Sequence, residues 1–148
     1  MNATREFLKP SAAEQWLNRA FGFMVGIGLG PSYCYLLKVR GRKTGKLYST
    51  PVNLLDVNGK LLLVAPRGQT QWVRNAEASG EITLKRGMYR KRFRLQRVGV
   101  PEKLAILAQY LDRFRTAVQR YFPVRAGSPP EAFVEVADWF PVFVLLEI

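Results

Sequence analysis

Asn58-Gly59 stands between a strand-like stretch, residues 47–57, and the apolar run Leu61-Leu62-Leu63-Val64-Ala65. A two-residue Asn-Gly link of this kind is a strong hairpin signal, because both positions of the tight turn need positive φ. It commits this stretch to antiparallel pairing. Residues 33–40 alternate, with Tyr33, Tyr35, Leu37 and Val39 on one side, the period of a half-buried strand. Gly41-Arg42-Lys43-Thr44-Gly45 breaks that strand before residues 47–57 resume, with Pro51 inside. Ile82 to Lys85 and residues 89–98 make a further hairpin around Gly87, and the latter strand puts Arg90, Arg92 and Arg94 on one face. Residues 142–148 form a run that is apolar except for Glu147, which reads as a strand buried on both faces, as when a terminal strand closes a barrel.

Helical signals interleave with these strands. Ser11-Ala12-Ala13-Glu14 reads as a capping box. The helix it opens carries Trp16, Leu17, Phe21 and Met24 and ends in Gly26-Ile27-Gly28-Leu29-Gly30-Pro31. That glycine run lacks the GxGxxG spacing of a dinucleotide site and follows a helix, so it reads as a helix stop and a loop. A short helix is expected over residues 71–78, ended by Ser79-Gly80. Pro101 opens a long one with the stripe Leu104, Leu107, Leu111, Phe114, Val118 and Phe122, helical spacing whose default meaning is core packing. Ser128-Pro129-Pro130-Glu131 reads as a second capping box starting a helix to about Trp139. The sum is a small barrel of antiparallel strands with peripheral helices, in the α+β or mainly β class. At 148 residues the chain is expected to form a single domain, residues 1–148. Within it, residues 1–30 are an N-terminal helix and loop, 31–100 the barrel strands, and 101–148 the later helices and closing strand.

The chain has no histidine, which removes Ser-His-Asp and Cys-His catalysis and every His-ligated metal site. Its single cysteine, Cys34, excludes an intrachain disulfide, a CxxC pair and a thiolate metal cluster. No metal is expected, no catalytic side chain is singled out, and a bound cofactor is expected to supply any redox chemistry. Fifteen Lys and Arg against three acids between Lys38 and Arg97 carry the whole net charge of +12. Such a block attracts a polyanion: nucleic acid, an anionic membrane or a phosphorylated cofactor. The longest apolar stretch, residues 20–30, has four glycines and falls well short of the roughly 20 residues a spanning helix needs. The expectation is a cytoplasmic protein, with a membrane-surface contact through the N-terminal helix left open.

Gly41-Arg42-Lys43-Thr44-Gly45-Lys46 concentrates amides, a hydroxyl and three cations, and such a turn can hold a phosphate. It is not a Walker A loop, since Leu47 stands where Ser or Thr would bind magnesium. The turn is followed in order by Ser49-Thr50-Pro51-Val52, then Leu62-Leu63-Val64-Ala65-Pro66-Arg67-Gly68, then Trp72-Val73-Arg74-Asn75. This series resembles the deazaflavin-dependent nitroreductase family, within the flavin-binding split-barrel superfamily. That family combines a basic GR-K/R-S/T-G turn, a strand with a central proline, an apolar strand and a W-x-x-N helix. All four parts are present over residues 29–98. The segment before the Trp is here the shorter Arg67-Gly68-Gln69-Thr70-Gln71.

The resemblance implies a split β-barrel that binds reduced 8-hydroxy-5-deazaflavin (coenzyme F-420) and transfers a hydride to a small unsaturated, nitro-aromatic or quinone acceptor. Carried over, Arg42, Lys43 and Thr44, with Gly45 shaping the turn, would meet the phosphate and acidic tail. Thr50, Pro51, Val64, Ala65, Pro66, Arg67 and Gly68 would line the ring, while Trp72 and Asn75 would fix the loop over it. FMN is the alternative cofactor on the same fold; the cations at the turn favour the more anionic deazaflavin. A carrier without turnover and, more remotely, a barrel binding single-stranded nucleic acid are the other readings. No nucleic acid is expected, because aromatics to stack on are sparse in the basic block. A small-molecule substrate and a monomer or homodimer complete the expectation.

Overall fold

A computed structural model describes residues 12–148, with side chains from Trp16 onward; the first capping box, Ser11 to Glu14, lies outside the described side chains. The elements run α1 Ala12–Gly26, β1 Cys34–Arg40, β2 Leu47–Asn53, β3 Leu55–Val57, β4 Lys60–Val64, α2 Gln71–Ser79, β5 Glu81–Arg86, β6 Tyr89–Arg97, α3 Glu102–Val118 and β7 Val142–Glu147. Short 3-10 turns, Gln119–Tyr121 and Pro130–Trp139, fill the stretch between α3 and β7.

All seven strands form one antiparallel sheet in the order β2-β1-β5-β6-β7-β4-β3. Its two outer strands, β2 and β3, are consecutive in the chain and separated by Leu54 alone, so the sheet must curl back towards itself. The expected single strand over residues 47–57 is therefore two. Its first half pairs with β1 and its second with β4, while Leu54 is buried at the bend and donates its N–H to Tyr33 O at 2.9 Å. Pro51 is tolerated because β2 pairs on one side only. Asn58 and Gly59 both have positive φ, 54° and 87°, as their hairpin demands. β7 joins the two halves, pairing with both β6 and β4, and Val142, Phe143 and Leu145 on it are buried.

Leu37, Val39, Ile82, Leu84, Phe93 and Leu145 fill the barrel. The α3 stripe packs outside it: Leu107, Leu111, Phe114 and Val118 are buried with Phe122, which stacks on Phe140 at 4.2 Å. The second capping box does not form. Pro129 is extended (φ −70°, ψ 162°) and the segment beyond it is 3-10 with no side-chain cap. The N-cap position falls on Pro129, so Ser128 stands one residue outside the segment it was expected to open.

The glycines at the end of α1 and just after it form a contact surface. A Cβ on Gly22 or Gly26 would stand 3.3 Å from the Leu36 side chain, and one on Gly28 would stand 3.4 Å from Gly87 Cα. Lys85 Nζ donates to Gly26 O at 2.5 Å, and Arg86 donates to Cys34 O at 2.9 Å and Gly30 O at 2.8 Å. The β5–β6 hairpin thus caps the carbonyl end of α1 with the Lys85 cation, the charge that end favours, and holds the loop after it with Arg86.

Candidate functional site

The glycine turn closes on itself and is then tied to α2. Gly41 N donates to Lys46 O at 2.7 Å, and Gly45 N donates to Gly41 O at 3.0 Å. Gly45 has φ +75°, a conformation glycine adopts without Cβ strain. A Cβ on Gly41 would come within 2.6 Å of the Tyr48 ring, so the ring lies against that glycine. Thr44 Oγ1 accepts from Lys46 N at 3.2 Å, and Arg40 donates to Gly45 O at 3.0 Å. Arg42 donates to Asn75 Oδ1 twice, through its backbone N at 3.0 Å and its guanidinium at 2.7 Å. Asn75 is 5% exposed. It therefore clamps the turn to α2 and does not cap its own helix.

Behind the turn lies a cavity of about 750 Å³. Of the residues expected in the site, Arg42, Lys43, Thr44, Thr50, Pro51, Val64, Ala65, Pro66, Arg67, Trp72 and Asn75 all line it. Gly45 and Gly68 do not. Gly68 has φ +85° and donates its N–H to Ala65 O at 3.2 Å, so both glycines shape the loops that carry the lining. Trp72 also packs edge-on against Phe143 at 6.4 Å, closing the barrel end while facing the cavity. Arg67 lies over the Tyr121 ring at 5.3 Å.

Other lining residues carry no strong local signal: Asn18 and Phe21 of α1, Tyr48, Ser49 and Asn53 of β2, Thr70 and Gln71 at the start of α2, and Tyr110, Val118 and Tyr121. Thr70 is the informative one. It precedes α2 with extended backbone and makes no capping bond. Its Oγ1 is the sole buried side-chain polar atom without a partner among the described residues. Buried polar groups in native proteins are almost always satisfied, so this hydroxyl and the first α2 amides make a polar subsite that suits an anionic or carbonyl group. Cations at the turn, an orphaned hydroxyl, and apolar walls from Pro51, Val64, Ala65 and Val118 together fit a flat ring bearing an acidic tail. Burial pushes the Tyr110 phenol well above its ordinary pKa, opposed by a hydrogen bond from Asn53. Burial also raises the Cys34 thiol, with Arg86 opposing.

The sequence profile of a family described as F-420H(2)-dependent quinone reductase matches residues 12–126. No curated protein matches the chain. Among solved structures, one described as an F-420-H2 dependent reductase aligns with a TM-score of 0.55 at 16% identity, covering 81% of this chain and 99% of the other. A conserved hypothetical protein from Mycobacterium tuberculosis aligns with a TM-score of 0.56 at 14% identity, covering 97% and 84%. HutZ, described as a haem storage protein from Vibrio cholerae, aligns with a TM-score of 0.51 at 13% identity, covering 88% and 87%. At these identities the structural likenesses speak for the split-barrel fold.

Proposed function

Because the chain belongs to the F-420H(2)-dependent quinone reductase family, and is thus an oxidoreductase with coenzyme F-420 as its cofactor, we propose that the 750 Å³ cavity is where that cofactor meets a small quinone, enone or nitro-aromatic acceptor. The proposal takes residues 1–148 as one domain with one site. When bound, the reduced deazaflavin supplies the hydride. The protein's part is to bind, orient and exclude water, which is sufficient for hydride transfer without a titrating side chain. Arg42 and Lys43 hold the acidic tail, with Asn75 keeping Arg42 in place and Gly45 giving the turn its shape. Thr70 and the α2 amides take a phosphate or ring carbonyl. Thr50, Pro51, Val64, Ala65, Pro66, Arg67 and Gly68 border the ring, and Trp72 closes the barrel end beside it.

The orphaned Thr70 hydroxyl, lining the same cavity as the Arg42–Asn75 clamp, carries this reading, because the fold leaves it unsatisfied at the cavity wall. The experiment is an absorbance titration of the protein with the deazaflavin and with FMN. Tighter binding of the deazaflavin is expected. Preference for FMN would move the protein to the alternative cofactor, and binding of the reduced deazaflavin without oxidation by any quinone or nitro-aromatic would make it a carrier.

A second observation favours a protein that works at a membrane surface. Among the described residues no helix is long and apolar enough to cross a membrane. Yet α1 exposes Trp16, Leu17, Phe23 and Met24, continued by Ile27, Phe23 being 69% exposed. Asn18 and Phe21 on the same helix line the cavity, so an apolar acceptor leaving a lipid surface would meet the site directly. Vesicle co-sedimentation tests this: Trp16→Glu with Phe23→Glu is expected to abolish binding, and unchanged binding would remove the membrane from the reading.

A further inference from the structure

We propose that the Tyr110 hydroxyl is the hydrogen-bond donor that holds the oxygen of a carbonyl-bearing acceptor in the cavity, and that Asn53 positions it. The inference rests on the oxidoreductase reading above and names the acceptor chemistry the site selects.

Tyr110 sits midway along α3, 2% exposed, with its ring edge-on to Phe114 at 5.1 Å. It nevertheless lines the cavity, as does Asn53 at the end of β2. The Cys34 thiol donates to Asn53 Oδ1 at 3.2 Å. A thiol donates weakly and accepts weakly, and a carboxamide nitrogen only donates, so the amide oxygen belongs on the Cys34 side. That assignment, made from the network, leaves Nδ2 to face the phenol, which lines the same cavity. An N–H can use only a lone pair of the phenolic oxygen. The phenolic hydrogen is left uncommitted at the cavity wall.

A phenol so placed is a donor and not an acid. Burial holds it protonated far above neutral pH, and ionising it would leave an unpaired charge in the core. A quinone or enone oxygen can accept its hydrogen bond; a hydrocarbon of the same shape cannot. As such an acceptor takes a hydride, negative charge grows on that oxygen and the bond strengthens. The hydride comes from the reduced cofactor and the proton that completes the product comes from solvent. The Tyr110 O–H bond does not break. Tyr48 offers no equivalent, because its ring is half exposed and lies against Gly41 in the turn.

The test compares wild type with Tyr110→Phe, both loaded with oxidised deazaflavin, so that no turnover is involved. Each is titrated with a naphthoquinone and with a naphthalene of equal size lacking oxygen. The variant is expected to lose about threefold to tenfold in naphthoquinone affinity, the range for one neutral hydrogen bond, and nothing for the naphthalene. The infrared carbonyl band of the bound quinone, shifted down in wild type, returns towards its free position. Asn53→Ala, which keeps the phenol but releases it, is expected to lose part of that shift. Equal loss for both ligands, or an unchanged band in Tyr110→Phe, would overturn the Tyr110 assignment alone. Wild type that binds the deazaflavin and no quinone would overturn the acceptor reading and this inference with it.

Discussion

A hydroxyl buried without a partner costs stability, and Thr70 is in that position at the cavity wall. Thr70→Val keeps the shape and removes the unmet bond. It is expected to stabilise the cofactor-free protein by about 0.5–1 kcal/mol while weakening deazaflavin binding by a similar amount or more. Opposite signs in a thermal melt and a binding titration are the signature; a loss in both would make Thr70 merely structural. Arg42 and Asn75 give a second test at this scale. Arg42→Ala should cost about 1.5–3 kcal/mol of cofactor affinity, the range for a charge-assisted bond. Asn75→Ala should approach that loss through the disordered guanidinium alone, although Asn75 need not touch the ligand. Both variants remove the guanidinium bond between the two residues, so the double variant should lose clearly less than the sum. Strict additivity would separate the clamp from the site.

The elements that local chemistry dictates are the ones the sequence makes legible. Asn58-Gly59, the Gly87 turn, the α3 stripe and the apolar β7 segment are all found where the pattern puts them. The bend at Leu54 is not legible, because closure of the sheet imposes it and no breaker residue marks it. The 3-10 segment Pro130–Trp139 is masked by a capping signal at Ser128 that falls one residue before the observed N-cap, Pro129. In the site, the turn and the Pro66–Gly68 loop stand out locally. The Asn75–Arg42 tie spans 33 positions, and Tyr110 looks like one more core aromatic until the cavity places it. The docking of α1 belongs to this scale too. Arg86 reaches Cys34 O, Gly28 O and Gly30 O from the β5–β6 hairpin, so Arg86→Ala should destabilise the fold by about 1–3 kcal/mol. Hydrogen exchange should show the loss concentrated in α1; protection unchanged there would mean that Gly22 and Gly26 packing on Leu36 suffices.

For the whole molecule the question is what a net charge of +12 serves. Much of the basic block is already engaged within the fold. Lys91, Arg92 and Arg97 pair with Glu147, Glu81 and Glu77, Arg40, Lys85 and Arg86 donate to backbone carbonyls, and Arg42 is held by Asn75. The surface pairs add little stability, but each lowers the field a polyanion would feel. Single-stranded nucleic acid also needs bases stacked on aromatic side chains along a groove. Here the aromatics of the block are otherwise placed: Trp72 closes a barrel end, Tyr48 lies against Gly41, and Tyr35 and Tyr89 pack on each other at 5.4 Å. A labelled oligonucleotide should therefore bind weakly in fluorescence anisotropy, and only at low salt. What binding remains should be displaced by saturating deazaflavin, because Lys43 and Arg42 at the turn are common to both ligands. A nucleic-acid protein would instead bind tightly at moderate salt, with log K falling about 0.7 per phosphate neutralised for each unit of log salt. Tight binding with that slope, undisturbed by the deazaflavin, would assign the basic block to nucleic acid and leave the cavity with a separate task.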